Sequence, residues 1–301
     1  MRNTLGWADF PPSKWIEDLE WIWNSDSFLR AEVQEKAFLQ ILPLSFFQRH
    51  QASFQNLIDA TRVNPCGLEA FLASRPRLYK LGLYAQTLLE FAFHSIPEIE
   101  LLASDLAIQE IDGSGKSRTV GSLDFLIRDV LTGEVLHIEF AVKLLLRQRF
   151  AGRHEEFSDW IGPEGRDRLD LKLKKLSEQQ LPLVQRASMR TLLQKRFGVA
   201  SEQVQSFALL RGLGFVAPGT PRRSKLISDS SLVGEWCPMD GWVRARVDLF
   251  LFIPKLAWLG RKVSLDFGTP GCEGLGLYGD AKDPDFRTFG VHSEWPTPRP
   301  E

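Results

Sequence analysis

Two apolar, strand-like segments within residues 123–146 carry charged side chains at positions where burial is expected. Asp124 lies on the first segment, and Glu139 and Lys143 lie on the second. Burial of an unpaired carboxylate or ammonium group is costly, so such groups are usually paired or bound to a metal ion. Because side chains alternate along a strand, Glu139 and Lys143 share one face of the second segment. A hairpin that turns at residues 132–134 places Asp124 opposite that face.

Two carboxylates and one amine around a common point are typical of a magnesium site, because hard divalent ions take oxygen ligands and retain several waters. A neighbouring lysine can orient a water molecule or neutralise charge that develops on a phosphate. The pattern therefore predicts phosphodiester hydrolysis with Mg²⁺ or Mn²⁺, in which Asp124, Glu139 and Lys143 are catalytic and Asp124 and Glu139 bind the metal. The alternative is a structural ion pair between Glu139 and Lys143, or partial exposure at the edge of a sheet.

Other motifs in the chain give weaker indications of chemistry. The GLGLYG run at residues 274–279 has the glycine spacing of a dinucleotide-binding loop, but residues 280–284 are unsuited to open the helix that must follow. The five histidines show no metal-binding spacing, and there is no GxSxG nucleophile motif. His137 precedes Glu139 by two residues and is interpreted as a core or edge histidine on the same face.

The overall composition bounds the classes of partner. The chain has 301 residues, of which 44% are hydrophobic and 25% charged, as in ordinary globular proteins. Its formal net charge of −1 gives no general attraction to nucleic acid or membranes, so a polyanion must bind to a local patch. The three cysteines form no CxxC pair, no apolar run reaches membrane-spanning length, and the polar, proline-broken first residues are not expected to act as a secretory leader. We therefore expect a cytoplasmic protein without a membrane partner.

One such local patch is predicted in the middle of the chain. Residues 143–196 contain 13 Lys or Arg and 7 Asp or Glu. Arg168, Lys172 and Lys175 recur at helical spacing and are expected to contact the phosphate backbone of DNA or RNA, which would make binding salt-dependent. A solvated helix face with salt-bridge partners explains the same pattern, and both interpretations stay open.

The elements that position these residues follow from hydrophobic periodicity. Apolar spacing predicts helices in the first 75 residues and a longer helix over 78–94; strands are predicted near 105–111, 120–128, 135–143 and 206–217. This order predicts an α/β fold in which helices flank a central mixed sheet.

The same patterns divide the chain into three parts that are expected to form one compact unit. They are a helical N-terminal segment (1–75), an α/β core (76–217) and a C-terminal extension (218–301). The extension bears tryptophans and then becomes rich in Gly and Pro, so its last thirty residues are expected to be irregular.

Five segments of the chain resemble a known bacterial family. They are YKLGLYAQTLLEFAF, VGSLDFLIRD, EVLHIEFAVKLLL, WIGPEGRDRLDLKLKKL with EQQLPL, and LLRGLGFV. Together they are similar to domain of unknown function family 1853, which is grouped with the PD-(D/E)XK nuclease superfamily, over about residues 25–265. The resemblance implies a restriction-endonuclease-like core within 76–217.

The resemblance also implies a set of site residues. Superfamily members build a metal site from an acid on the first helix, a strand aspartate and an acid-X-lysine; Glu90, Asp124 and Lys143 match these positions, with Gln86 an equally placed alternative on the helix. The acid two residues before the lysine is replaced by Ala141, and Glu139 would be displaced by about 6.5 Å along the strand. Two interpretations remain. Either Glu139 is a migrated ligand of a magnesium-dependent nuclease, with Glu90 supporting the ion through water, or the chain is an inactive nuclease-fold module that binds nucleic acid or a protein partner.

Overall fold

The computed structural model describes residues 6–34, 37, 39–75, 78–111, 115–148, 154–239, 250–260, 267–270, 275–280 and 283–297. Within these residues the protein is a mixed α/β structure in which helices flank a large central sheet. The fold class predicted from the sequence is therefore confirmed at this level.

The α-helices fall into an N-terminal group and a later pair. They are α1 (Pro12–Asn24), α2 (Ala31–Gln34), α3 (Leu44–Arg49), α4 (Gln51–Val63), α5 (Cys66–Ala73), α6 (Leu81–Ser95), α7 (Leu169–Lys175) and α8 (Ala187–Phe197). A π-helical turn (Leu176–Gln180) and a 3₁₀ turn (Leu181–Gln185) extend α7. Helix α6 is apolar around most of its circumference, which is typical of a helix buried on several sides.

The sheet combines four strands of 13 residues each with shorter strands. They are β1 (Ile99–Ile111), β2 (Ser117–Asp129), β3 (Val135–Arg147), β4 (Trp160–Ile161), β5 (Val204–Val216), β6 (Leu232–Pro238), β7 (Phe250–Ile253), β8 (Thr269–Pro270), β9 (Gly276–Asp280) and β10 (Asp283–Val291). Their spatial order is β1-β2-β3-β5-β6-β10-β9-β7-β8, with β4 paired to β3. The β1-β2-β3 meander is antiparallel, whereas β5 runs parallel to β3, so the sheet is mixed.

Strand β3 lies inside the sheet and is covered on both faces. Ile138, Phe140 and Leu144 pack into the core that contains α1 and α6, while Ala141 and Leu145 pack into a second core that contains α7. This separation confirms the predicted alternation, because odd-numbered residues of β3 face α7 and even-numbered residues face α6.

The end of the chain differs from the prediction. The last thirty residues were expected to be irregular, but β9 and β10 fall within them and extend the central sheet. A Cβ atom would collide with the ring of Phe252 at Gly276 and with the sulfur of Met239 at Gly290. Glycine here permits close strand packing instead of breaking the strand, and composition alone does not distinguish the two.

Within the described ranges, no helix combines the length and apolar character needed to cross a bilayer.

Candidate active site

The predicted acidic residues lie where β2 and β3 separate. The β2–β3 pairing ends at Phe125 opposite Ile138. At the next position, hydrogen bonds from backbone amides to side-chain carboxylates replace the backbone hydrogen bonds between the strands. The Phe140 amide donates to Asp124 Oδ2 at 2.9 Å, and the Asp124 amide donates to Glu139 Oε1 at 3.4 Å. The structure therefore brings Asp124 and Glu139 together at this strand fork, as the sequence predicted.

Glu139 is fully buried and is held by two side-chain hydrogen-bond partners. His137 Nε2 lies 2.9 Å from its Oε1 atom, and Gln180 donates a hydrogen bond to its Oε2 atom. His137 Nδ1 lies 3.1 Å from Ser206 Oγ on β5. His137 is thus the buried, hydrogen-bonded neighbour of Glu139 that the sequence analysis interpreted it to be.

Asp124 is partly exposed and carries an unusual ionisation equilibrium. Burial, followed by repulsion from Glu139, raises the pKa of its carboxyl group from the ordinary 3.8 to about 7. The Phe140 hydrogen bond and the ammonium group of Lys172 act in the opposite direction but do not cancel these effects. Two carboxyl groups therefore share a site that lacks enough positive charge for both to ionise easily.

Two lysines complete the centre of the site. Lys172 of α7 donates to Gln180 Oε1 at 3.0 Å, and burial lowers the pKa of its ammonium group despite attraction to Asp124. Lys143 of β3 lies near the ammonium group of Lys172, and its positive charge also lowers the pKa of Lys172. The ion pair of Lys143 is with Asp167, at 3.1 Å. The alternative of a Glu139–Lys143 ion pair is therefore wrong.

Glu90 is engaged with other partners. Its Oε1 atom accepts hydrogen bonds from Arg75, at 2.6 Å, and from Ser104 on β1. Ser104 lies opposite Phe125 in the β1–β2 register, so Glu90 is tied to the strand position next to the fork. As a metal ligand it stays a prediction, and it would have to leave or share the guanidinium of Arg75.

The three predicted nucleic-acid contacts differ in their environments. Arg168 is exposed and donates two hydrogen bonds to Asp170, at 3.0 and 2.5 Å. Lys175 is exposed on the last turn of α7, whereas Lys172 turns inwards to the acidic pair. Their role in binding nucleic acid stays a prediction.

Two residues at the site escaped the sequence analysis. Gln180 bridges Glu139 and Lys172 from the π-helical turn, a deviation that often marks functional sites. Asp105 of β1 lies between Ser104 and Leu106, which pair with Phe125 and Leu123 of β2. Its charge contributes to the raised pKa of Asp124. Its φ of 45° is left-handed, which is uncommon for a residue other than glycine. Gln180 lies in the EQQLPL segment, but a glutamine there does not by itself indicate a functional site. Asp105 belongs to no sequence motif that predicts one.

The side chains at the fork fit a metal site with one or two protein carboxylates and not a site with three. Among the described residues, no three His, Cys, Asp or Glu side chains are grouped closely enough to form a metal cluster. A magnesium ion that keeps most of its waters needs only one or two carboxylates. The under-neutralised pair of Asp124 and Glu139 fits such an ion, and a site with three protein carboxylates does not fit these residues.

Comparison with known proteins gives one match. The sequence model described as "Domain of unknown function (DUF1853)" matches residues 17–267, which is most of the chain. No curated protein and no solved structure matches it.

Proposed function

Because the chain belongs to the family described as Domain of unknown function (DUF1853), whose description names no reaction, we propose from the chemistry of the site that it hydrolyses phosphodiester bonds of nucleic acid with the help of a divalent metal ion. The observation that carries the proposal is the pair of Asp124 and Glu139 at the strand fork, with the pKa of Asp124 raised to about 7. A carboxylate pair that lacks counter-charge is what a hard cation would stabilise.

The proposal assigns a role to each residue around the fork. Asp124 and Glu139 would hold the ion, directly or through its waters. When bound, Mg²⁺ or Mn²⁺ would polarise the phosphate and lower the pKa of a coordinated water. Lys143 would align the attacking water, and Lys172 would stabilise negative charge on the phosphate, because ammonium groups aimed at developing charge lower the barrier.

The fold around the site supports the same proposal but does not by itself imply this activity. Helix α6, the β1-β2-β3 meander, α7 and the parallel strand β5 follow one another in the order expected of a restriction-endonuclease-like core. The proposal therefore includes membership of the PD-(D/E)XK superfamily. Fold alone does not imply activity, so the activity is proposed from the residues of the site.

A second candidate is a module that binds nucleic acid without cleaving it. The observation that favours it is the satisfaction of Glu139 and Glu90 by protein partners: His137 and Gln180 bond the first, and Arg75 and Ser104 bond the second. A carboxylate with such partners needs no metal ion for stability.

The deciding experiment is cleavage of labelled single- and double-stranded DNA and RNA in Mg²⁺ and in Mn²⁺. Asp124→Asn and Lys143→Met are compared with Asp59→Asn, a matched control at an exposed position of α4. We expect cleavage by the wild type and the control, and a loss of about a hundredfold or more in the two site variants.

The measurement also separates the two candidates. Equal cleavage by all four proteins would point to a contaminant and contradict the assignment. If the wild type binds but does not cleave, and isothermal titration detects no Mn²⁺ binding that Asp124→Asn removes, the second candidate replaces the first.

A further inference from the structure

A basic cleft of about 570 Å³ lies beside the loop that follows β5. Its lining includes four cationic side chains, Arg30, Arg222, Arg223 and Lys225, and two acidic ones, Glu155 and Asp229. We refer to it as the 222–225 cleft. No part of the predicted site falls within it.

The backbone of this cleft is held in place by buried side chains. Arg147 Nη1 donates to the Arg223 carbonyl oxygen at 2.6 Å, and Arg147 Nη2 donates to that of Pro221 at 3.3 Å. Glu155 accepts from Ser224 Oγ at 2.6 Å and from the Lys225 amide at 2.7 Å. The loop therefore presents the side chains of Arg223 and Lys225 from a fixed position, which lowers the entropy cost of binding a ligand.

The acidic residues of the cleft already have cationic partners. Arg147 lies 3.6 Å from Glu155, and Arg30 lies 2.5 Å from Asp229. Across the described part of the chain, Arg223 and Lys225 are exposed and form no ion pair. Their positive charge is available to an anion from solution.

The cleft and the strand fork lie along the same strand. Arg147, which holds the cleft backbone, follows Glu139 of the fork by eight residues on β3, so both side chains leave the same face, with Cα atoms about 26 Å apart. Duplex DNA presents a phosphate on each strand every 3.4 Å or so along its axis. A polynucleotide bound at the fork would thus reach the cleft over about eight base pairs.

We propose that the 222–225 cleft binds backbone phosphates of the nucleic acid on one side of the bond held at the strand fork. The identity of this ligand rests on the proposed function, whereas the cleft's affinity for phosphate does not. Arginine suits such a role because its planar guanidinium bonds two phosphate oxygens at once.

The chemistry of the cleft favours nucleic acid over an acidic protein. Protein interfaces usually contain a buried apolar or aromatic centre. The large apolar side chains that are exposed in the described residues lie elsewhere: Leu44, Val63, Tyr79, Val130, Leu131 and Leu171. A rim of cations without such a centre matches a phosphate backbone better.

The test is binding of a fluorescein-labelled DNA duplex in EDTA, followed by anisotropy across a series of salt concentrations. The variant is Arg223→Ala with Lys225→Ala, and the matched control is Arg62→Ala with Lys80→Ala, two exposed cations among the N-terminal helices and outside the 143–196 patch. Alanine at 223 and 225 keeps the carbonyl and amide groups that hold the loop. We expect binding about tenfold weaker and a salt slope smaller by about two, with the control unchanged.

The outcomes separate this inference from the proposed function. Unchanged affinity and slope in a variant whose wild type cleaves DNA would overturn the inference alone. Binding that depends on Arg223 and Lys225, without cleavage by the wild type, would support the inference and refute the nuclease. Absence of DNA binding would overturn both. Tighter binding of poly-glutamate than of DNA at equal charge, lost in the variant, would replace nucleic acid by an acidic protein.

Discussion

At the scale of single residues, the ionisation of Asp124 decides the charge of the strand fork. Its pKa is about 7 in the folded protein and 3.8 when unperturbed, so the folded protein holds this proton more tightly than the unfolded chain does. The free energy of unfolding therefore falls as the pH rises from about 4 to 7. Below this range the carboxyl is neutral in both states and imposes no penalty.

We predict that Asp124→Asn stabilises the metal-free protein above pH 7. Asparagine keeps an oxygen that accepts from the Phe140 amide but carries no charge. After allowance for screening by solvent, the gain is expected to be about 2 kcal/mol at pH 8, or a rise in Tm of about 5 °C, and to vanish near pH 4. Thermal unfolding of both proteins in EDTA across this range is the measurement. A Tm difference that does not vary with pH would show that the Asp124 charge is solvated.

A second prediction at this scale concerns Gln180. Replacement by Ala removes the donor to Glu139 and the acceptor of Lys172 together. A buried carboxylate that loses a hydrogen bond costs about 1–3 kcal/mol. Urea unfolding of Gln180→Ala should show this loss, and the exposed neighbour variant Gln179→Ala should lie within about 0.5 kcal/mol of the wild type. Equal losses in both variants would assign the effect to helical turn stability and not to the bridge.

At the scale of elements, the position of Lys143 depends on the close packing of β3 against β5. Lys143 pairs with Gly212 in the parallel register, and the ring of Phe28 lies over that glycine. A Cβ atom on Gly212 would lie 2.6 Å from both the Lys143 carbonyl oxygen and Phe28 Cδ2. Strand and ring cannot both stay in place if a side chain is added.

We therefore predict that Gly212→Ala lowers the free energy of unfolding by about 1–3 kcal/mol, the usual cost of overpacking. Gly82→Ala in α6 is the matched control, since its Cβ would meet nothing within 4 Å and alanine favours the helix. Urea unfolding measures both. A Gly212→Ala protein as stable as the control would mean that Phe28 moves aside at little cost, and the register of Lys143 would then not depend on this contact.

At the scale of the whole molecule, a buried polar cluster joins distant parts of the chain. Lys14 and Asp18 of α1 form an ion pair, Tyr84 of α6 donates to Asp18 Oδ2 at 2.9 Å, and Lys14 donates to the Leu259 carbonyl oxygen at 3.3 Å. The cluster thus ties the N-terminal helices to α6, which packs on the sheet, and to the chain after β7. Burial raises the pKa of Asp18 despite the neighbouring ammonium group of Lys14. The hydrogen bonds that Asp18 accepts therefore contribute to the stability of the cluster.

We predict that Tyr84→Phe costs about 1–2 kcal/mol, because Asp18 loses a donor in a site that water does not reach. Differential scanning calorimetry should show one cooperative transition at a lower Tm. Tyr79→Phe, at an exposed tyrosine, is the control and should leave the Tm unchanged. Separate transitions for the N-terminal helices and the sheet would contradict their coupling through this cluster.

The amino-acid sequence by itself determined the strands of the core and the meeting of Asp124 with Glu139. Alternation along β3 and the turn after β2 fix which side chains share a face, and both are local properties of the chain. The family assignment also followed from the sequence, since the matching segments carry it.

The tertiary structure alone decided the partners of these charges and the course of the chain's end. Lys143 pairs with Asp167, Gln180 reaches Glu139, and glycine-rich segments extend the sheet. Each of these depends on residues far apart in sequence, so no local period encodes them. The physical reason is that a buried charge takes the partner that folding brings within hydrogen-bonding distance, and that distance is set by the packing of whole elements.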